Sequence, residues 1–206
     1  MELQIEDDKE IDIICVARQT SSRFPNKIFA EVCGKPMIQI MLEKLYKLKA
    51  NIIFAIPNNN KNNDLYNYLK SKSIYIYRGS ETNVLERFTE ASKHSSAFFV
   101  QRFNCDNLLF DVDYMIKMRA LTKANPTYDI YTNKHCKNSS GQSIEIIVRA
   151  HCSNTCDPSA YEREHIFPYF YRMHQNIFKL QCPEQTVFPI DTRNDLNRIT
   201  KTLLKR

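Results

Sequence analysis

The stretch IDIICVARQTSSRFPNK, residues 11–27, decides the fold of this chain. Its first seven residues are apolar apart from Asp12, a pattern that predicts a fully buried strand. The remaining residues form a polar loop that carries Arg18, Arg23 and Lys27 among hydroxyl side chains. Ligands in open α/β sheets bind beyond the carboxyl ends of the strands, so this loop is the first candidate for a binding site.

Further apolar runs alternate with helical patterns along the first two thirds of the chain. The alternation predicts βαβ units and a mostly parallel sheet. The first predicted helix begins near Pro36, and three more cover 64–72, 83–93 and 111–124. The predicted strands cover 11–17, 51–56, 73–77, 97–103 and 128–131. The loops at 18–27, 78–83 and 104–111 should therefore meet at one edge of the sheet.

The pattern weakens after residue 133. Alternating apolar residues predict a strand over 143–149, and residues 187–190 read as a short strand. The segment 161–171 reads as helical at its start. Thr192 and Asp195 have the spacing of a capping box for a last helix. We expect one domain over 1–206, with an N-terminal tail over 1–10 and an extension over about 134–190.

Composition and charge exclude several classes of protein. The 206 residues include 29 basic and 23 acidic side chains, and the resulting charge of +6 is spread along the chain, which argues against nucleic acid as a partner. Three glycines cannot supply a G-x-G-x-x-G or Walker A loop. The N-terminus does not resemble a signal peptide, and no apolar stretch approaches the length of a membrane span. The seven scattered cysteines favour a reduced, cytoplasmic location.

The basic loop has the chemistry of a phosphate site. Arg18 and Arg23 can grip phosphate oxygens with two hydrogen bonds each, and Lys27 can act as a mobile point charge. The hydroxyls of Ser21 and Ser22 can complete an anion site together with backbone N–H groups. The alternative is an ordinary solvated basic loop, which the spacing alone does not exclude.

Six motifs, in order, resemble those of the cytidylyltransferases that make CMP-activated sugar acids. The first is residues 17–27, which match the pattern A-R-x-x-S-[ST]-R-[LF]-P-x-K. The others are CGKPM at 33–37, RGSE at 78–81 with VLERF at 84–88, RFNCDN at 102–107, YEREH at 161–165, and DT at 191–192 with DL at 195–196. The chain looks most like the spore-coat-polysaccharide, SpsF-like branch, and it is more distantly similar to CMP-Kdo and CMP-sialic acid synthetases.

The resemblance implies a fold and a reaction. The fold would be α/β, a Rossmann-like, GT-A-like nucleotidyltransferase fold of three layers with a mostly parallel central sheet and a small C-terminal extension. An acceptor oxygen would attack the α-phosphorus of CTP, and pyrophosphate would leave. The acceptor would be a sugar or sugar acid used in glycan assembly, Mg²⁺ would be the cofactor, and the protein would act as a homodimer.

Carried over residue by residue, the motifs assign roles. Arg18, Lys27 and Asp106 would be catalytic, and Asp106 and Asp191 would bind the metal. For Asp191 the alternative is a residue that flanks a helix N-terminus. The remaining residues implied to bind the nucleotide and its triphosphate are Ala17, Ser21, Ser22, Arg23, Arg78 and Asn104.

The acceptor would lie near Glu145, Glu162 and His165. Glu162 and His165 are three residues apart and would share a helical face, but a purely structural helix is the alternative. Three positions depart from the family pattern: Thr20 and Asn26 stand where glycines are usual, and Leu108 where proline is usual. Asn26 tolerates a positive φ, so the turn at this position can survive.

Two other clusters of side chains have simpler explanations than a binding site. His135, Cys136, His151, Cys152 and Cys156 collect soft metal ligands, but their spacing is not that of a zinc site. Tyrosines 66, 68, 75 and 77 could suggest base stacking, although ordinary packing explains them better.

Two functions of another class remain open at this point. One is a catalytically silent protein that keeps the fold and binds nucleotides or partners. The other is a nucleic-acid binder, which would show a steep dependence of binding on salt.

Overall fold

A computed structural model describes residues 10–21, 23–153 and 155–203. These residues form two sheets and seven α-helices. The strands are β1 (Ile11–Val16), β2 (Glu31–Val32), β3 (Lys35–Pro36), β4 (Ile52–Pro57), β5 (Tyr75–Gly79), β6 (Phe99–Asn104), β7 (Ile130–Thr132), β8 (Glu145–Val148) and β9 (Ile177–Lys179). The α-helices are α1 (Met37–Leu45), α2 (Asn63–Ser71), α3 (Val84–Ser92), α4 (Val112–Ala124), α5 (Ala160–His165), α6 (Phe167–Met173) and α7 (Arg193–Leu203).

The central sheet has seven strands in the order β5-β4-β1-β6-β8-β7-β9. β1 lies in the middle and pairs in parallel with β4 and with β6. β8 runs antiparallel between β6 and β7. The prediction of a mostly parallel α/β sheet is confirmed. The carboxyl ends of β1 and β6 lie side by side, with Val16 opposite Asn104, so the loops that follow them start at the same edge.

Helices cover both faces of the sheet, which explains why β1 is apolar on both sides. Ile11, Ile13 and Cys15 pack into one core with residues of α1, α2, α4 and α7. Ile14 points the other way, into a second core built with α3 and α6. The three-layer arrangement follows directly from burying both faces of one sheet.

Capping residues lie close to where the sequence predicted helix starts. The side chain of Asn83 accepts a hydrogen bond from Glu86 N at 3.1 Å, and that of Asp111 accepts one from Tyr114 N at 3.0 Å. At α7 the capping box is formed: Thr192 N donates to Asp195 Oδ2 at 2.9 Å, and Asp195 N donates to Thr192 Oγ1 at 3.2 Å. These contacts satisfy backbone N–H groups that the helix itself leaves free.

The strand predicted over residues 187–190 is wrong. This segment is irregular, and its last residue makes isolated contacts in place of a ladder. Ile190 N donates to Asp106 O at 2.9 Å, and Ile190 O accepts from Lys27 Nζ at 2.9 Å. β9 and the small β2–β3 hairpin were not predicted, because strands of two or three residues are too short to show a period.

At Gly141 the backbone of the irregular segment lies directly against the chain. The φ of Gly141 is +73°, and a Cβ built there would lie 2.5 Å from Val187 O. We therefore expect Gly141→Ala to destabilise the protein by about 2 kcal/mol or more, because backbone strain and a backbone clash act together. Urea unfolding would measure the loss. Gly34→Ala is the matched control: its φ is +80° with open space around the Cβ, so only about 1 kcal/mol of strain is expected. Equal losses in both variants would contradict the role of the clash.

One pair of cysteines departs from the prediction of a fully reduced chain. Cys136 and Cys182 form a disulfide across 46 residues of sequence. The other five, Cys15, Cys33, Cys105, Cys152 and Cys156, are free thiols. The disulfide joins the segment after β7 to the segment that leads from β9 towards Asp191. Burial raises the pKa of Cys152 to about 12, so this thiol is held in its neutral form.

Within the described parts of the chain, none of the helices combines the length and the apolar character that a bilayer crossing requires.

Candidate active site

A cleft of about 270 Å³ opens at the carboxyl ends of β1 and β6, and we call it the strand-end cleft. Nine of the residues predicted from sequence line it together: Ala17, Arg18, Ser21, Arg23, Lys27, Asn104, Asp106, His165 and Asp191. They come from four separate regions of the chain. Ser22, also predicted to bind the triphosphate, lies outside the described residues. The topology therefore brings most of the predicted site to one place.

Lys27 is the central cation of the strand-end cleft. Its Nζ lies 3.3 Å from Asp106 Oδ2 and 3.6 Å from Asp191 Oδ1. The Ile190 carbonyl accepts a third contact at 2.9 Å. Arg23 reaches Asp191 Oδ1 at 3.2 Å from the solvent side. Two carboxylates that are 85 positions apart in sequence thus face one ammonium group.

The loop that carries Lys27 is held by a buried glutamine. Gln19 Nε2 donates to Asp64 Oδ2 at 3.0 Å, and Gln19 Oε1 accepts from Leu65 N at 3.3 Å. Gln19 N also donates to Asn62 Oδ1 at 2.8 Å. These contacts attach the loop to the start of α2. Asn26 takes a φ of 56°, as expected for a residue that replaces glycine in a tight turn.

Asp191 owes its position to the start of α7. Its backbone N–H donates to Asp195 Oδ2 at 3.2 Å. The Thr192 hydroxyl also donates to Asp195, and these contacts lower the pKa of the Asp195 carboxyl. Asp191 therefore does flank a helix N-terminus, as the alternative reading held. Its own carboxylate, however, points at Arg23 and Lys27 in the cleft.

Arg87 is a cleft residue that sequence reasoning missed. Its Nε donates to Ala55 O at 3.3 Å and its Nη1 to the carbonyl of Ser80, which fixes the guanidinium under the cleft. Burial and, to a smaller extent, the charge of Arg18 together lower the pKa of Arg87 to about 10. The group still carries its proton at neutral pH and adds positive charge beneath Arg18. The available signal was its place in the VLERF motif at 84–88, between Leu85 and Phe88, which both pack into the second core.

Arg102 also lines the cleft, and a second buried network of side chains holds it there. It faces Glu145 across the β6–β8 pair and forms an ion pair with that carboxylate. Tyr171 donates to Glu145 Oε1 at 3.0 Å. Burial, followed by the charge of Glu145, raises the pKa of Tyr171, so its hydroxyl keeps the proton that it donates. Glu145 itself lies behind Arg102, and its part in the site is to hold that side chain.

Glu162 is a correction to the predicted acceptor site. It does not line the cleft. Its carboxylate completes a capping box with Ser159 and accepts from Arg172 Nε at 2.6 Å. The hydrogen bonds from Arg172 lower the pKa of Glu162 to about 2. Glu162 therefore has the structural role that was the alternative to acceptor binding. Glu164 is the acid of this motif that reaches the cleft.

Arg78 is a second correction, because it also lies away from the cleft. Its Nη2 donates to Asn59 O at 2.7 Å and to Asn63 Oδ1 at 3.0 Å, and its guanidinium lies over the Tyr66 ring. These contacts tie the end of β5 to the start of α2. The Arg78 guanidinium therefore has a structural role, and the geometry does not support the predicted contact with a nucleotide.

His165 reaches the cleft at the junction of α5 and α6. Its ring stacks on Tyr161 with 4.4 Å between centroids, and its carbonyl accepts from Arg102 Nη1 at 3.1 Å. Ile166, which follows it, has a φ of 62°. A β-branched residue rarely adopts this conformation, so the sharp break between the two helices stores strain at the rim of the cleft.

The five residues weighed as a zinc cluster are not brought together. Cys136 is bonded to Cys182, Cys152 is buried, and His151 faces Asp129. The four tyrosines do not form a stacking surface either: Tyr66 and Tyr68 pack against the core from α2, and Tyr75 stacks on His94. The simpler explanations hold for both groups.

Comparisons with known proteins identify the family of this chain. A profile of the cytidylyltransferase family matches residues 13–205. The chain is 30% identical over 177 residues to the uncharacterized protein MJ1063 of Methanocaldococcus jannaschii; the match covers 83% of this chain and 72% of that protein.

Two solved structures share the fold. A cytidylyltransferase from Leptospira borgpetersenii superposes with a TM-score of 0.85 at 23% identity, covering 96% of this chain and 87% of that one. A CMP:2-keto-3-deoxy-manno-octonic acid synthetase complexed with CTP superposes with a TM-score of 0.74 at 14% identity, covering 95% and 99%. Because the family profile matches nearly the whole length of the chain, this protein belongs to the cytidylyltransferase family.

Proposed function

We propose that the protein transfers CMP from CTP to a sugar or sugar acid and releases pyrophosphate. The observation that carries the proposal is the position of Lys27, which lies between Asp106 and Asp191 in a cleft that Arg18 and Arg23 also line. Such a site can bind a polyanion and a cation next to each other, which is what a nucleoside triphosphate with its metal requires.

The reaction breaks one phosphorus–oxygen bond and forms another. An acceptor hydroxyl oxygen attacks the α-phosphorus of CTP and forms a new bond to it. The bond between the α-phosphorus and the oxygen that bridges to the β-phosphate breaks, and pyrophosphate leaves with that oxygen. The acceptor hydroxyl loses its proton to water. Negative charge grows on the departing pyrophosphate, so fixed cations nearby stabilise the transition state. In our proposal Arg18 and Lys27 do this, and Ser21, Arg23, Ala17 and Asn104 help to hold the nucleotide.

Asp106 and Asp191 fit a divalent cation. Both offer carboxylate oxygens, the ligands that Mg²⁺ prefers, and both already face one positive charge. We propose that they hold Mg²⁺, which would neutralise part of the triphosphate charge and help to align it. Arg18, Arg23 and Lys27 would then contact phosphate oxygens that the metal leaves free.

The acceptor would enter beside His165 and Arg102. Both line the cleft, and Arg102 places a positive charge where an acidic sugar needs a partner for its carboxylate. Glu145 acts in this proposal as a positioning residue, because it holds Arg102 by an ion pair and does not line the cleft. We further propose a cytoplasmic homodimer that serves polysaccharide synthesis; the SpsF-like branch remains a prediction.

A screen of pyrophosphate release tests the proposal. The full-length protein is assayed with Mg²⁺ and each of the four nucleoside triphosphates against a panel of sugar acids and phosphosugars. We expect release with CTP and one class of acceptor only, and none with CTP alone. A protein that binds CTP but never releases pyrophosphate with any acceptor would instead be the catalytically silent binder.

A further inference from the structure

A second group of metal-binding side chains lies at the opposite edge of the sheet from the strand-end cleft. Asp129, His151 and His174 each offer one donor atom, and these atoms lie within 4.8 Å of one another. Val148 N donates to Asp129 O, and Val148 faces Phe99 at the amino end of β6. The cleft is at the carboxyl end of the same strand. We call the three side chains the His–Asp–His cluster.

The backbone fixes the three side chains relative to one another. Asp129 N donates to Asn176 O at 2.9 Å, and Asp129 O accepts from Val148 N at 3.0 Å. Asn176 is two residues after His174, and Val148 is three residues before His151. Both histidines are therefore attached, through short segments, to backbone that is hydrogen-bonded to Asp129. Folding alone brings the cluster together, which is the preorganisation a metal site needs.

The geometry of the cluster suits one ion between the three groups. His151 Nε2 lies 2.8 Å from Asp129 Oδ1, and His174 Nδ1 lies 4.0 Å from Asp129 Oδ2. The two imidazole rings are 4.1 Å apart between centroids. Ligand atoms of a tetrahedral zinc ion are separated by roughly 3.4 Å, given bonds of about 2.1 Å. Small side-chain rotations would equalise the observed separations.

The donor set selects the kind of metal. Imidazole nitrogen with one carboxylate suits Zn²⁺ and its first-row neighbours, whereas Mg²⁺ prefers oxygen ligands alone. The exposed fractions of the side chains are 31% for Asp129, 31% for His151 and 20% for His174. Water can therefore reach an open coordination position, as in metal sites with three protein ligands.

We infer that Asp129, His151 and His174 form a binding site for a divalent transition-metal ion, separate from the strand-end cleft. The described contacts of the Asp129 carboxylate are with these two histidines. The ion would join three segments that are distant in sequence: the residue before β7, the turn after β8 and the end of α6. Its binding does not depend on the proposed transfer reaction.

A separate set of possible ligands must not contribute to the measured binding. His135 Nε2 lies 3.4 Å from Cys136 Sγ and 4.0 Å from Cys182 Sγ. These sulfurs are joined in the disulfide, so neither is the thiolate that a metal requires. The experiment is therefore done without reductant.

Cobalt titration of the full-length, EDTA-treated protein tests the inference. We expect one Co²⁺ per chain to produce visible d–d absorption without a thiolate-to-cobalt band. Zn²⁺ should displace it and should raise Tm, because an ion that binds only the folded state stabilises that state. Asp129→Asn, His151→Ala and His174→Ala should each weaken binding by more than about 100-fold, since even changes behind the ligands cost 10- to 100-fold. His94→Ala removes an imidazole that stacks on Tyr75, and it should bind like the wild type.

The result that would overturn the inference is equally specific. Binding that survives in all three ligand variants, a thiolate band that grows with bound cobalt, or a wild type that binds neither ion would each do so. Circular dichroism of the metal-free variants checks their fold. If an alanine variant is unfolded, His151→Gln and His174→Gln replace it, because an amide can keep a hydrogen bond to Asp129.

Discussion

Asp106→Asn is expected to lower kcat/KM for pyrophosphate release by about 1000-fold, with little change in stability. The substitution keeps the size of the side chain and removes its charge. Asp106 is only partly buried, and its described ion pair is with Lys27 at 3.3 Å. Without the carboxylate, the proposed metal loses a ligand and Lys27 loses the partner that positions it. A thousandfold loss corresponds to about 4 kcal/mol of transition-state stabilisation.

The measurement is a pyrophosphate-release assay under conditions in which the wild type turns over. Asp113→Asn is the matched control, because it removes the same charge from an exposed position in the first turn of α4, outside the cleft. Its rate should stay within about twofold of the wild type. An Asp106→Asn protein that keeps a tenth of the wild-type rate would remove Asp106 from the catalytic machinery.

Glu145→Ala should destabilise the protein by about 3–5 kcal/mol, because it leaves the Arg102 guanidinium buried without its partner. The two side chains are 11% and 3% exposed, so water can replace the lost carboxylate only in part. Tyr171 would lose its acceptor as well. Urea unfolding followed by circular dichroism would show the loss as a lower midpoint with an unchanged slope.

A double variant separates charge from volume. Arg102→Met with Glu145→Leu removes both charges, and the two apolar side chains fill the volume of the ion pair. Most of the stability lost in Glu145→Ala should therefore return. Turnover should stay low, since the cleft has lost the positive charge of Arg102. A Glu145→Ala protein that loses less than about 1 kcal/mol would show that the pair is well solvated and does not hold Arg102 in place.

The sequence predicted the sheet well where the pattern was long. β1 is apolar on both faces and had to lie inside a parallel sheet, and α1 places Met37, Met41 and Leu45 in the core as its period required. Because strands and helices alternate, the loops after β1 and β6 had to meet. The contact between Lys27 and Asp106 therefore follows from a sheet topology that can be predicted from the sequence.

The failures have a different cause. Arg78, Glu145 and Glu162 are polar residues whose partners are set by tertiary contacts that no local pattern encodes. Glu145 meets Arg102 only because β8 runs antiparallel beside β6 in one register. Glu162 lies on the side of α5 that faces away from the cleft. This helix ends at His165, and Ile166 changes the direction of the chain through its positive φ. Arg87 was missed because a helical arginine is usually exposed.

Lys27 has one more consequence, which concerns the protein before any nucleotide arrives. Its ammonium is already surrounded by oxygens from Asp106, Asp191 and Ile190, much as it would be by phosphate. Carboxylate and carbonyl oxygens of the chain thus take the positions around Lys27 that phosphate oxygens would take in the proposed complex. An incoming polyphosphate must compete with these internal anions for the same cation, so its net affinity is smaller than the number of positive side chains suggests. In exchange, the two carboxylates offset part of the positive charge that Lys27 and Arg23 bring to the cleft.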